Sequence, residues 1–355
     1  MRPRRAAPLL AALLLGGCHI TGPTAIRSGR DNFNVAIQRT NNEQLLLNLV
    51  RLRYRDTPLF LEIASITSNY SFEVGGGTSG TLNRGATHSV GLSGSVGYAE
   101  KPTVSYVPLQ GQRFATQLLS PVDPNVILLM YHSGWSIDRI FKICVQRLGP
   151  LANATRASGP TPSRAPEHER FFEFTGLLRQ LWEAGDLDMG VLADERGDAL
   201  VLRIAETAES SDEAARIAEL LELHGPRHTI ILSDREPGGV TLVPRSLLAT
   251  MFYLSQSVEV PDRDRKAARV TITRNPDGSE FDWRAITGGL MRIRHQRRGP
   301  PIGAYVAITY RDAWFYIDDS DLDSKSTFTL LAQLLELQSG DVKAAGPLLT
   351  LPVGT

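Results

Sequence analysis

A chain of 355 residues is long enough for two domains or one large one, and 42% hydrophobic with 21% charged residues is a globular composition rather than a disordered one. Lys plus Arg and Asp plus Glu both number 38, so the formal net charge is zero and there is no overall basic field for nucleic acid and no acidic one for cationic partners. Of the two cysteines, Cys18 and Cys144, the second has no intrachain partner if the first is used elsewhere, which excludes a disulfide framework and a cysteine-based zinc site.

From the N-terminus, Arg2, Arg4 and Arg5 precede an apolar run, Ala6 to Leu15, broken by Pro8. The run is about ten residues where a spanning helix needs about twenty. Gly16 and Gly17 then supply small side chains before Cys18. This is the layout of a secretory signal. Its end, Leu15, Gly16, Gly17 and Cys18, resembles the lipobox of bacterial lipoproteins. The resemblance covers residues 1–18 and implies a signal peptide at 1–17, recognised through Leu15, Gly16 and Gly17. It also implies that Cys18 is diacylated on sulfur, becomes the N-terminus and is acylated there. Two or three acyl chains anchor stably where one does not, at about 0.8 kcal/mol per buried methylene. His19 rather than Asp follows the cysteine, which by resemblance to Gram-negative lipoprotein sorting implies the outer membrane. The competing reading is an ordinary signal peptide with a chance cysteine.

Residues 18–30 read as a tether. Asp31 can cap a short helix, NFNVAIQR, and Thr40 with Glu43 forms a capping-box pattern ahead of QLLLNLVRLRY. Leu45, Leu46, Leu49, Val50 and Leu52 make an apolar stripe at helical spacing, and Pro58 ends that helix. Residues 67–107 change to period-2 alternation. Tyr70, Phe72 and Val74, then Val90, Leu92, Val96 and Tyr98, alternate with Gly, Ser and Glu around a Gly/Asn/Ser loop, which predicts a long β-hairpin. Each run is about the ten residues of a transmembrane strand. Two strands cannot close a barrel, so insertion requires several chains to donate one hairpin each. Amphipathic strands of this kind also cover soluble cores.

VDPNVILLMYHSGWSIDRIFKICVQRLG predicts two helices meeting near Gly134, with Cys144 as a small buried hydrophobe. Thr155 to Pro166 has Pro, Ser and Gly without periodicity and reads as a linker between an N-terminal unit, 31–154, and a C-terminal one, 167–355. The second unit predicts a helix ended by Gly185, a hairpin around Glu195–Asp198, and a helix with Asp212 and Glu213 in its first turn. Strands HTIILS, GVTLV, ARVTITR, LMRIRHQ, AYVAITY and AWFYIDD follow, the last two joined through Arg311-Asp312. Helices SLLATMFYLSQSV and KSTFTLLAQLLELQ complete it. Mixed strands and helices without strict βαβ alternation define an α+β class: an N-terminal helical segment with an amphipathic hairpin, then a mixed domain with an antiparallel sheet.

Candidate chemistry is sparse. Asp319, Asp321 and Asp323, with Asp318, offer acids at loop positions 1, 3 and 5 of a calcium site, but Ser324 and Leu330 stand where an EF-hand needs Gly and Glu. A strand end capping a helix N-terminus explains the acids as well. His224 and His228 are i, i+4 but flank Gly225-Pro226, so they cannot form HExxH. No nucleophile elbow and no P-loop is present, and RIRHQRR at 292–298 is a basic strand end. Tyr305, Tyr310, Trp314, Phe315 and Tyr316 cluster on one hairpin, where core packing is the default.

EQLLLNLVRLRYRDTPLFLEIASI, EKPTVSYVPLQGQRFATQLLSP and AWFYIDDSDLDSKSTFTLLAQLLELQSG are similar to segments of an uncharacterised family of bacterial envelope proteins. That resemblance brings no reaction, cofactor, metal or catalytic residue. Two expectations result. The first is a lipid-anchored, non-enzymatic structural or assembly subunit at the outer membrane, facing mainly the periplasm. Its partners would be the membrane and further copies or other envelope proteins, met through the 67–107 hairpin, with no nucleic acid. The alternative is a periplasmic enzyme or ligand-binding protein with its site in the C-terminal domain near Trp314, Asp318, Asp319 and Asp321.

Overall fold

The computed structural model describes residues 18–81, 89–192, 199–224, 228–233 and 239–338. The fold is α+β with antiparallel sheets, and the chain divides into two units, Leu59–Arg113 and the remainder.

In the smaller unit, β1 (Leu61–Thr81) pairs antiparallel with β2 (Ser89–Pro108), from Leu61 opposite Pro108 to Thr81 opposite Ser89, with one irregularity between Ile63 and Ser65. At about 3.3 Å per residue these strands run roughly 65 Å, about twice the length a transmembrane strand needs. The register sets Phe72 against Tyr98, Val74 against Val96, Thr78 against Leu92 and Gly80 against Val90, so the two alternating runs are in phase. The predicted joining loop, 82–88, and the side chains of Tyr70, Phe72, Val74, Val90, Leu92, Val96 and Tyr98 lie outside the described residues. At the described end Leu61, Val104, Tyr106 and Val107 are exposed.

The larger unit begins with α1, Cys18–Arg53. This is one helix where the sequence predicts a tether and two helices. Thr40 does not cap: its hydroxyl donates to the Ile37 carbonyl (3.0 Å), and Glu43 pairs with Arg39 (2.9 Å) one turn back. The expected stripe is core, with Leu45, Leu46, Leu49, Val50 and Leu52 all buried. No helix among the described residues is long and apolar enough to cross a membrane. The expected signal residues Leu15, Gly16 and Gly17 lie outside the described residues, as does the side chain of Cys18.

Helix α2 (Pro124–His132) is capped by Asp123, whose carboxylate accepts from the Asn125 N–H (2.8 Å), and Gly134 turns the chain at φ +87° into α3 (Ile137–Cys144). There the predicted helix stops, because Val145–Leu148 is β3, followed by β4 (Leu151–Ala152). Next come α4 (Glu169–Ala184), ended by Gly185 at φ +81°, β5 (Leu187–Leu192), β6 (Ala199–Ile204), α5 (Asp212–Leu220), β7 (Thr229–Leu232) and β8 (Leu242–Pro244). α6 (Leu247–Ser255), α7 (Asp262–Lys266) and α8 (Arg284–Thr287) precede β9 (Arg294–Gln296), β10 (Ala304–Tyr310), β11 (Ala313–Asp318) and α9 (Leu322–Gln338). Three sheets, ordered β4-β3-β8, β5-β6-β7 and β10-β11-β9, carry these strands. The C-terminal end of α1 packs against α6 and β10, where Tyr54 meets Tyr310 and Phe315 edge-on at 5.5 and 6.3 Å.

No unit boundary falls at 155–166. The segment is built into the core of the larger unit. Ala157 and Thr161 are buried, and Ser158 accepts from Arg245 Nε (3.0 Å). Thr161 accepts from both Arg53 and Gln256, and the Pro162 carbonyl accepts from Thr273 (2.7 Å). Backbone bonds of 2.9 Å link Arg274 with Ser163 and Ala165. The expected strand ARVTITR is therefore an extended companion of this segment, with only isolated bridges at Arg274. Gly, Pro and Ser give a linker composition, but here they supply the irregular backbone that long polar side chains grip.

Candidate functional site

A cavity of about 620 Å³ opens in the larger unit, between the end of α1, the residues following α6, the α8 region and the start of α9. Arg53 reaches its wall because it lies i+4 from Leu49 and i+3 from Val50, on the buried side of α1. It is 6% exposed. Nη1 donates to Thr161 Oγ1 (3.1 Å) and to the Thr271 carbonyl (3.4 Å), while Nε has no partner among the described residues. Burial lowers its pKa to about 10, which still leaves it protonated at neutral pH. Gln256, just past α6, sits beside it: Nε2 donates to the same Thr161 hydroxyl (3.2 Å) and to the Phe252 carbonyl (3.2 Å), and Oε1 has no partner among the described residues.

The other three arginines on the wall are neutralised. Arg265 pairs with Glu280, Arg284 with Asp282 (2.8 Å) and Arg292 with Glu259 (2.6 Å). Beyond them the wall combines apolar side chains, Val258, Ile272, Leu290 and Met291 among them, with polar ones such as Ser257 and Thr287. Trp283 donates its indole N–H to Thr273 Oγ1 (3.2 Å) and meets Phe281 edge-on at 5.3 Å. The turn after α8 needs its glycines: a Cβ on Gly288 would lie 2.4 Å from the Arg284 carbonyl oxygen, and Gly289 has φ +73°.

The predicted acids are not gathered into one site. Asp318 accepts from the Ser320 N–H and hydroxyl (3.0 and 2.6 Å) and faces Arg294 (3.4 Å). Asp319 pairs with Lys325 and Asp323 with Arg139, both at 2.7 Å. Asp321 caps α9, accepting from the Ser324 N–H (3.1 Å) and hydroxyl (2.7 Å). Asp321 and Asp323 do line the cavity, whereas Trp314 lies on β11 opposite Gln296 and Thr309. Among the described residues no group of three or more His, Cys, Asp or Glu is placed to hold a metal ion. Cys144 is fully buried, which pushes its thiol up to about 12 and leaves no nucleophile at neutral pH.

Sequence reasoning missed Arg53 and Gln256. The available signal was an arginine at helical spacing within an apolar stripe, a position that forces a buried charge. The arrangement defines an α+β protein with a mixed-charge cavity holding one unneutralised guanidinium. Compared with protein families, curated proteins and solved structures, the chain matches none.

Proposed function

We propose that this is a lipid-anchored cell-envelope protein, a non-enzymatic assembly subunit at the outer membrane that associates with further copies of itself through the two-stranded sheet of β1 and β2. The lipobox-like Leu15 to Cys18 supports the anchor. The observation that carries the assembly role is the sheet. Its two strands pair along their whole lengths with each other and with no third strand among the described residues. A two-stranded sheet is marginal alone, and the open edges of such a sheet can template another strand. Exposed Leu61, Val104, Tyr106 and Val107 add apolar surface beside those edges.

The test combines fractionation with size. Cys18→Ser should release the protein from membranes, and full-length protein in detergent should sediment as an oligomer. Replacing residues 67–102 with a short Gly-Ser turn should reduce it to a monomer. A monomeric wild-type protein removes the assembly role, and membrane retention of Cys18→Ser removes the lipid anchor. A second reading, a periplasmic ligand-binding protein, is favoured by the cavity at Arg53 rather than by the acids around Asp319.

A further inference from the structure

We propose that the cavity at Arg53 binds a small molecule carrying one anionic group, a carboxylate or a phosphate monoester, on an apolar body, with the anion seated against the Arg53 guanidinium. This deepens the ligand-binding reading and does not depend on the anchor or on self-association.

The argument comes from comparing two buried arginines of the same unit. Arg245 is fully buried, and all three of its nitrogens have acceptors: Ser158 Oγ for Nε, the carbonyls of Lys142, Ile143 and Val145 for Nη1, and that of Asn153 for Nη2. That is how a structural guanidinium is satisfied. Arg53 is nearly as buried, yet its Nε has no acceptor among the described residues, its Nη1 bonds only Thr161 and Thr271, and no carboxylate among those residues lies within ion-pairing distance of it; Glu280, which favours its charge from farther away, pairs with Arg265. It differs from Arg245 in standing on the wall of an open cavity. An uncompensated buried cation is costly unless an anion completes it.

The wall restricts the ligand further. Its volume of about 620 Å³ suits a small molecule rather than a chain segment. Ile272, Phe281, Leu290 and Met291 offer apolar contact. Five carboxylates, Glu259, Glu280, Asp282, Asp321 and Asp323, disfavour a ligand with several negative charges. The unpartnered Gln256 Oε1 favours a donor next to the anionic group, such as a hydroxyl or an amide N–H.

Calorimetric titration of the full-length protein in detergent, at constant ionic strength, tests this with 3-phenylpropionate, phenyl phosphate and inorganic phosphate, and with phenethylamine as the cationic counterpart. Wild type should bind at least one of the two phenyl anions saturably at one site and not bind phenethylamine. The relative affinities of the carboxylate and the phosphate identify the class. Arg53→Gln should weaken binding about tenfold or more, the scale of a charge-assisted hydrogen bond. Ile272→Trp, which narrows the cavity and leaves Arg53 in place, should weaken it too and gives the answer if Arg53→Gln does not fold. Arg216→Gln, whose guanidinium pairs with Glu173 away from the cavity, should leave it within about twofold. Absence of saturable binding of both phenyl anions to wild type, equal binding of phenethylamine, or unchanged affinity in Ile272→Trp or in folded Arg53→Gln overturns the proposal.

Discussion

Arg245 explains why the chain changes from helix to strand at Cys144. Its guanidinium takes the carbonyls of Lys142, Ile143 and Val145 at 2.9, 3.2 and 2.8 Å, and its own N–H donates to the Cys144 carbonyl. A cation placed at the C-terminus of α3 satisfies acceptors the helix leaves open and suits its dipole. The guanidinium also stacks on Tyr253, 4.0 Å from the ring centroid. Arg245→Met roughly keeps the volume and removes every side-chain donor, so several buried carbonyls lose their partners. We expect a loss of about 3 kcal/mol or more in denaturant unfolding, with an unchanged m value. A loss under about 1 kcal/mol would mean that water replaces those bonds. None of this was legible in the sequence, since Arg245 lies in VPRSLL with nothing nearby to mark it as buried.

Among the elements, those specified by neighbouring residues were legible. α5 starts where Ser211 accepts from the Ala214 N–H (3.1 Å), and α4 stops at Gly185 in the left-handed region. The β10–β11 hairpin turns at Arg311-Asp312, with Tyr310 opposite Ala313. Both turn residues have positive φ, 47° and 61°, the signature of a type I′ loop, which glycine fills best. Arg311 has other work, pairing with Asp56 (2.8 Å) and lying over Tyr54 (5.0 Å). Asp312 is solvent-exposed, so Asp312→Gly should stabilise the protein by about 0.5–1 kcal/mol, read as a raised denaturation midpoint. The predicted start of a helix at Thr40 and Glu43 shows where local signals mislead. A capping pair and an i, i+4 ion pair use the same residue types, and whether the chain before them is helical decides between the two.

At the scale of the whole molecule, balanced charge hides an asymmetry in how acids are held. Burial would raise the Asp264 carboxyl, but hydrogen bonds from Tyr54 and Arg269 and the charges of Arg263 and Arg269 outweigh it and keep it below its ordinary range. Asp56 is held down in the same way by Tyr310 and Arg311 against its own burial. A carboxyl whose folded pKa is depressed stabilises fully above its unfolded value, about 4, and loses that contribution as pH falls through the folded value. The melting temperature should therefore be nearly level from about pH 8 to about pH 5 and fall below about pH 4. Asp264→Asn should be less stable at neutral pH and show a shallower acid fall. Parallel acid limbs in the two proteins would assign the fall to other groups.

The linker composition of 155–166 misleads for a reason that also belongs to this scale. Composition reports local backbone freedom, and the side chains that remove it come from distant parts of the chain. Arg53 meets Thr161 across 108 positions and Thr271 across 218, and Tyr54 meets Asp264 across 210. Those separations set a timetable. In a polypeptide delivered N-terminus first, the apolar face of α1 emerges early and waits for partners near position 270 before it is covered. The larger unit cannot close in instalments, and its core completes in one late step, after most of the chain has arrived. Until then Arg53 and Tyr54 remain solvated, and how long the nascent chain is vulnerable to aggregation depends on the transit of the intervening two hundred or so residues rather than on how fast its helices form.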